Sequence, residues 1–253
     1  MTIPSTPIAF VRSPFGEKFG VPRQPGLVPA ARGRVEFVPP YDDPASVRGL
    51  EGYSHVWLIF LAHLVPEGEA FQPTVRPPRL GGNQRVGVFS TRSLFRPNRL
   101  GLSLVELVSV ETGPGGLSLE VAGLDLVDGT PILDVKPYLP YAEAKPEARG
   151  GFAPAAPTPV PVKIAPEAEP GVAAAELRCP GFRDLLLQTL AADPRPAFHH
   201  EAGRAYGFPL AGFEVRFEAE GAGLVVRRVL AGETGACGPA TDTNGQDGRE
   251  RGV

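Results

Sequence analysis

Short runs in which apolar and polar residues alternate dominate the first 140 residues of the chain. Alternation with a period of two is typical of strands that are buried on one face. The clearest pair, residues 102–112 and 117–122, is joined by Gly-Pro-Gly-Gly and predicts a hairpin. The most apolar stretch, residues 53–64, favours a buried strand, although a short core helix fits it too. Further strands are predicted at residues 8–11, 34–38, 85–92, 124–127 and 132–135. About seven short strands with close turns predict a mainly β protein, with a closed or nearly closed antiparallel barrel at its N-terminus.

The remainder of the chain has a different pattern and predicts a small α+β domain. Residues 182–191 have apolar side chains at helical spacing, and residues 213–217 and 224–230 predict a second hairpin. Ala, Pro and Glu dominate the region before them, which is typical of a linker. We therefore expect a barrel domain at 1–145, a linker at 146–176, an α+β domain at 177–230 and a disordered tail at 231–253.

The distribution of charge singles out one segment of the barrel domain. The chain has a formal net charge of -3, yet residues 75–99 contain six arginines and no Asp or Glu. A guanidinium group can donate two parallel hydrogen bonds to a phosphate or a carboxylate. Proline and glycine residues between the arginines restrict or shape the loops that carry them. The segment predicts an anion site, and a solvated basic loop at an edge or a subunit contact is the alternative. Its arginines are Arg76, Arg79, Arg85, Arg92, Arg96 and Arg99.

Several classes of protein are disfavoured by what the sequence lacks. The chain contains no GxSxG elbow, no Walker loop, no HExxH and no GxGxxG between a strand and a helix. Cys179 and Cys237 are too few for a disulfide framework or a thiolate metal cluster, and we expect free thiols and no metal. No apolar run is long enough for a signal peptide or a membrane span, so a cytoplasmic protein without membrane contact is expected.

Candidate chemistry clusters after the first hairpin. Asp128 lies in a predicted turn, and Lys136 and Tyr138 follow the next predicted strand. Side chains converge at the strand ends of a barrel, so these three residues could position a substrate or move a proton. Asp128 could equally accept a hydrogen bond from its own turn. His63, within the apolar stretch, is interpretable as a packed core group or as a functional one.

Long motifs of this sequence resemble one known family. The stretches VRSPFGEKFGVPRQPGLVPAARG, YDDPASVRGLEGYSHVWLIF, VRPPRLGGNQRVGVFSTRSLFRPNRLGLSLVEL and GLDLVDGTPILDVKPYLPYAE resemble the TrmO family, also called TsaA-like or YaeB. The resemblance is dense over residues 5–145 and continues in DPRPAFH and AYGFPLAGFEVRF. It implies a dimeric β-barrel tRNA methyltransferase that uses S-adenosylmethionine. The implied acceptor is the exocyclic nitrogen of N(6)-threonylcarbamoyladenosine, beside the anticodon of threonine-type tRNAs.

The resemblance also implies roles for individual residues. Positions that match the family's motifs would bind the cofactor: Gln24, Pro25, Gly26, Leu27, His63, Leu64, Arg92, Leu102, Ala122, Gly123, Leu124 and Asp125. The anticodon stem-loop would be bound by Arg76, Arg79, Arg85, Arg96 and Arg99, with Phe15, Phe19 or Phe95 stacking on bases or packing in a core instead. Arg99 stands where the family usually has proline, which alters that turn. A noncatalytic RNA-binding barrel is the alternative function.

Overall fold

The strands and helices are defined in a computed structural model that describes residues 4–66, 68, 70–80, 83–195 and 203–232. Its strands are β1 Ala9–Arg12, β2 Gly33–Phe37, β3 His55–Leu61, β4 Thr74–Val75, β5 Val86–Gly87, β6 Leu100–Gly113, β7 Gly116–Ala122, β8 Pro131–Pro137, β9 Val162–Ile164, β10 Ala205–Leu210, β11 Phe213–Glu220 and β12 Gly223–Ala231. Its α-helices are α1 Pro140–Glu143, α2 Glu169–Arg178 and α3 Phe182–Ala191. Single 3-10 turns are formed by Pro44–Val47, Leu50–Gly52, Pro78–Leu80 and Val88–Ser90.

Six strands of the first domain close into an antiparallel barrel within the described residues. The order around the barrel is β1-β2-β7-β6-β3-β8, and β8 pairs back with β1. This confirms the predicted mainly β fold with an N-terminal antiparallel barrel. Alternate residues of each strand point inward, and the core they form includes Val11, Val35, Leu58, Leu119 and Ile132, each with no exposed surface.

Strand β3 shows how the sequence fits the barrel. Val56, Leu58 and Phe60 are buried, whereas the residues between them are half-buried on the outer wall. Gly101 lies opposite Phe60, and a Cβ atom added at Gly101 would lie 2.0 Å from the Phe60 ring. The glycine is therefore needed for the ring to lie across the neighbouring strand.

The second domain is an α+β unit, as predicted, but it is larger than the sequence indicates. Its sheet has the order β10-β11-β12-β9, with β9 parallel to β12. Strand β9 and most of α2 lie inside residues 146–176, so the predicted linker is wrong over that part. A three-residue strand and an alanine-rich helix have too weak a pattern to be detected, and packing on the rest of the domain stabilises them. Of the predicted tail, Ala231 ends β12, and residues 233–253 lie outside the described residues.

Three further expectations differ from the structure or fall partly outside it. Residues 85–92 form only β5 and a 3-10 turn, and residues 124–127 form a loop, so neither is the predicted strand. Cys179, expected as a free thiol, is disulfide-bonded, and Cys237 lies outside the described residues. In the described parts of the chain, no helix is long and apolar enough to cross a membrane.

Candidate active site

One end of the barrel gathers most of the predicted site residues. Strands β1, β3 and β7 end there, and β2, β6 and β8 begin there, because neighbouring strands are antiparallel. The loop before β2, residues 13–32, covers this end. It is called the cofactor loop below because it carries residues 24–27, four of the cofactor residues that the resemblance predicts. The segment after β7, residues 122–125, meets it. Residues 20 to 100 positions apart in the sequence thus come together.

The cofactor loop and the segment after β7 are joined through two glycines. The amide of Gly26 donates to the carbonyl of Gly123 at 2.8 Å. Gly123 has φ +72°, which favours glycine, and a Cβ atom there would lie 3.2 Å from the Cα atom of Gly26. Next to it, the amide of Leu124 donates to the carbonyl of Ala31 at 3.1 Å. The two backbones approach so closely that a side chain at Gly123 would separate them.

Polar side chains surround this junction. Arg92 donates from Nη1 to Oε1 of Gln24 at 2.8 Å, which connects the basic segment with the cofactor loop. Ser103, buried in β6, donates from Oγ to Oδ1 of Asp125 at 2.6 Å. Burial raises the pKa of Asp125 to about 6, while the Ser103 hydrogen bond and the positive charge of Arg92 act in the opposite direction. The site therefore contains a carboxylate whose charge is only partly compensated.

His63 and Leu64 follow β3 at the same end of the barrel. The ammonium group of Lys18, in the cofactor loop, donates to the carbonyl of Leu64 at 2.6 Å. Burial and the charge of Lys18 lower the pKa of His63, so the imidazole is neutral at physiological pH. Both residues therefore lie beside the cofactor loop, and their predicted contact with the cofactor stays a prediction.

Other predicted cofactor residues reach the site through their backbone or face elsewhere. The side chains of Ala122 and Leu124 are buried, and that of Leu124 lies in the barrel core. The side chain of Leu102 is 49% exposed on the outer wall, because the inward position of β6 is taken by Ser103. Pro25 and Leu27 are half-buried on either side of Gly26.

The structure does not bring the three predicted catalytic residues together. Asp128 lies at the cofactor end, where its Oδ1 accepts from the amide of Ser13 at 2.9 Å and its Oδ2 is 4.0 Å from Arg12. Lys136, 3.3 Å from Asp134, and Tyr138 lie at the far end of β8. A seven-residue strand spans roughly 20 Å, so Asp128 cannot share a substrate atom with either residue. Tyr138 instead packs edge-on against the rings of His55 and Trp57.

The arginines of the basic segment fall into two groups. Arg96 donates to the carbonyls of Val88 and Thr91 and so holds its own loop. Arg99 donates to the carbonyl of Val65 at 3.1 Å and so links the start of β6 to the loop after β3. Arg76 and Arg85 are exposed, and Arg85 donates to Oγ1 of Thr74. The side chain of Arg79 lies outside the described parts.

Ser103 and Lys18 are site residues that the sequence reasoning missed. Ser103 occupies an inward position in an otherwise apolar phase of β6, and that single polar residue is a usable signal. Lys18 carries no comparable signal, because its contact with Leu64 bridges two loops that only the fold brings together. Among the described residues, no group of three or more His, Cys, Asp or Glu side chains could hold a metal ion.

Comparison with known proteins agrees with this architecture. Residues 10–144 match the model of the tRNA-methyltransferase O N-terminal domain, and residues 157–232 match that of the TrmO C-terminal domain. The chain is 47% identical over 222 residues to the tRNA (adenine(37)-N6)-methyltransferase of Escherichia coli, covering 87% of this chain and 94% of that protein.

A shorter relative and a crystal structure extend the comparison. A probable S-adenosyl-L-methionine-binding protein of Methanothermobacter thermautotrophicus is 38% identical over 138 residues, which is 54% of this chain and 91% of that protein. The crystal structure of TrmO from Pseudomonas aeruginosa superposes with a TM-score of 0.75 at 40% identity, covering 91% of this chain and 99% of that one. With both domain models matched and the fold shared, the chain belongs to the tRNA-methyltransferase O family.

Proposed function

We propose that this protein methylates the exocyclic nitrogen of N(6)-threonylcarbamoyladenosine, beside the anticodon of threonine-type tRNAs, with S-adenosylmethionine as the donor. The observation that carries the proposal is the junction of the cofactor loop with residues 122–125, which Gln24, Arg92 and Asp125 surround. The curated Escherichia coli relative, named as a tRNA (adenine(37)-N6)-methyltransferase, supports an adenine N6 acceptor in tRNA.

The residues at the junction fit the chemistry of the donor. S-adenosylmethionine carries a sulfonium and an ammonium group, one carboxylate and two ribose hydroxyls. Asp125, whose negative charge is only partly compensated, suits a cation or a hydroxyl donor. Arg92, exposed and held by Gln24, suits the carboxylate. When bound, this cofactor supplies an electrophilic methyl group, and the protein's part is to align the acceptor nitrogen and to exclude water.

Removal of the acceptor's proton is the step for which a side chain is needed. The lone pair of the acceptor nitrogen is delocalised into the neighbouring carbonyl, so removal of the proton raises the nucleophilicity of this nitrogen. Of the predicted candidates, Asp128 is the one at the cofactor end, where it could accept the proton on Oδ2, 4.0 Å from Arg12. Lys136 and Tyr138 lie at the far end of β8, too far from the junction to accept this proton.

The basic segment supports the choice of an anionic RNA substrate. Arg76 and Arg85 are exposed, and the described part of the segment contains no acidic residue that would neutralise them. Such residues suit the phosphates of the anticodon stem-loop or the threonyl carboxylate of the modified base. Arg79 belongs to the same proposal by its sequence position. Arg96 and Arg99 contribute to RNA binding indirectly, because their hydrogen bonds to backbone carbonyls hold the loops of the basic segment in place.

We also propose a cytoplasmic homodimer. The outer wall of β3 and β6 carries an apolar stripe, defined by Ile59, Leu61, Leu100 and Leu102, and the last two are 45% and 49% exposed. Exposed apolar patches of this kind commonly mark contacts between proteins. A second copy packed on this stripe would cover it, and a cytoplasmic location suits a protein that acts on tRNA.

Two measurements test the proposed function. Calorimetric titration of the full chain with S-adenosylmethionine should give binding that S-adenosylhomocysteine competes away. Mass spectrometry of tRNA nucleosides should show the methylated product only in cells that have the protein. Absence of binding and of product, with tRNA binding intact, would leave the alternative of a noncatalytic RNA-binding barrel.

A further inference from the structure

The cofactor loop shares a hydrophobic core with the C-terminal domain rather than with the barrel. Phe15 and Val28, each 1% exposed, and Ala31, fully buried, belong to the same cluster as residues of α2, α3 and the second sheet. The barrel core is a separate cluster. The loop therefore leaves one domain, packs in the other and returns.

Phe19 is the aromatic anchor of the loop. Its ring stacks on that of Tyr206 at 6.3 Å and on that of Phe217 at 6.5 Å, and it meets the ring of Phe208 edge-on at 5.8 Å. Such ring pairs add stability beyond the area that they bury. The next residue, Gly20, has no room for a side chain, because a Cβ atom there would lie 2.5 Å from the Phe208 ring.

Hydrogen bonds tie the loop to the same domain on both sides of residues 24–27. Before them, Pro14 accepts at its carbonyl from the amide of Ala211 at 2.8 Å, and Arg23 donates from Nη2 to the carbonyl of Arg195 at 2.9 Å. After them, the amide of Ala30 donates to Oε1 of Gln188 in α3 at 2.9 Å. The four residues that meet the barrel's site are thus suspended between two attachments to the C-terminal domain.

From this arrangement we infer that the C-terminal domain is a brace that sets the position of the cofactor loop, and that Phe19 and Gln188 are positioning residues for cofactor binding. The inference rests on the proposed function for the identity of the cofactor. Neither residue needs to touch the cofactor, because each fixes the position of the loop that carries Gln24 and Gly26. The domain then contributes to cofactor binding without contributing an atom that contacts the cofactor.

The test uses full-length variants and their affinity for S-adenosylmethionine. Phe19→Ala should raise the Kd about tenfold, and Gln188→Ala should raise it about threefold. The tenfold change corresponds to about 1.4 kcal/mol of binding free energy. Turnover at saturating cofactor and the Kd for tRNA should stay near wild type. Gln188→Glu keeps an oxygen that accepts from Ala30 and should restore the affinity.

Arg227→Ala is the matched control within the same domain, because it removes surface ion pairs with Glu167, Glu218 and Glu220 and leaves the loop's attachments in place. It should leave the Kd for the cofactor unchanged. Folded Phe19 and Gln188 variants with wild-type cofactor affinity would overturn the inference. So would variants that lose tRNA affinity instead, because the domain would then be an RNA-binding unit.

Amide hydrogen exchange separates this inference from the proposed function. Exchange of residues 20–30 should accelerate in Phe19→Ala and Gln188→Ala but not in Arg227→Ala, with or without ligand. If the wild type did not bind S-adenosylmethionine, the proposed function would fail, and accelerated exchange would still support the brace. Unchanged exchange in the two variants would refute the brace itself.

Discussion

Among the titratable side chains that the structure describes, Asp125 has the largest resolved change of pKa. Its pKa is raised from 3.8 to about 6, chiefly by burial. A carboxyl group with a raised pKa in the folded chain destabilises the fold as the pH rises from about 4, and the full cost is present above about 6. A cationic ligand beside Asp125 would offset that cost, so the carboxylate is better explained by binding than by stability.

Asp125→Asn should therefore stabilise the free protein while weakening its proposed activity. Two pKa units correspond to about 3 kcal/mol, and since asparagine can still accept from Ser103, we expect a gain of about 1–2 kcal/mol at pH 7.5. The gain should largely disappear at pH 3.5, where Asp125 is protonated in the folded state and mostly protonated in the unfolded state. Thermal or urea unfolding at the two pH values measures it, and an equal effect at both would contradict the assigned cause.

The same carboxylate predicts the pH dependence of cofactor binding. Ionised Asp125 favours a cationic ligand, so the affinity for S-adenosylmethionine should fall as the pH drops below about 6. In Asp125→Asn the affinity should be weaker and should not change over that range. Calorimetry between pH 5 and 8 measures both profiles. A parallel fall in the variant would assign the titration to another group.

Arg92 and Arg76 should separate the two binding activities of the basic segment. Arg92 contacts Gln24 in the cofactor loop, whereas Arg76 is exposed on the same segment. Arg92→Ala should abolish methyl transfer by raising the Kd for the cofactor. Arg76→Ala should mainly weaken tRNA binding and lower its salt slope by about one. Equal loss of cofactor affinity in both variants would argue against this division.

At the scale of elements, the meeting of the cofactor loop with the segment after β7 depends on Gly123. Gly123→Ala introduces a side chain at φ +72° and pushes on the backbone of Gly26, 3.2 Å away. We expect the Kd for S-adenosylmethionine to rise at least tenfold, because the junction must open, and stability to fall by about 1–2 kcal/mol.

Gly116→Ala is the matched control for this prediction. Gly116 also has a positive φ, +91°, but it lies in the hairpin turn at the other end of the barrel, with no atom within 4 Å of an added Cβ. It should lose similar stability and keep wild-type cofactor affinity. If both variants lost affinity equally, general destabilisation rather than the junction would be the cause.

The sequence predicted some elements well because their signal is local. α3 and the hairpin of β6 and β7 each combine a clear period with turn residues, and both form. β3 forms where the most apolar stretch favoured a buried strand. The prediction of a strand at residues 85–92 was wrong, because the alternation of arginine and apolar residues there does not reflect a strand with one buried face. Val88 is the buried first residue of a 3-10 turn, and the side chain of Arg96 donates to the carbonyls of Val88 and of Thr91, the residue that ends the turn. A contact between residues eight positions apart decides this segment.

At the scale of the whole molecule, the apolar stripe on the outer wall predicts a dimer. Leu100→Glu places a charge in the stripe and should convert a dimer to monomers in sedimentation experiments at micromolar concentration. Leu177→Glu is the matched control, since Leu177 is 88% exposed on α2, in the other domain. Loss of the dimer in the control, or a monomeric wild type, would contradict a contact through the stripe.

The sequence by itself determined the barrel and the α+β domain, and through the resemblance it named candidate site residues, most of which the fold gathers at one end of the barrel. Periodicity and turn residues are local properties, and long motifs preserve the identity of residues that meet in space. The tertiary structure alone decided that Ser103 and Lys18 join the site, that Asp128 is separated from Lys136 and Tyr138, and that Phe19 is anchored in the C-terminal domain. These outcomes depend on which strand ends coincide and on which core a loop enters. Such contacts join residues far apart in the chain, so no local pattern encodes them.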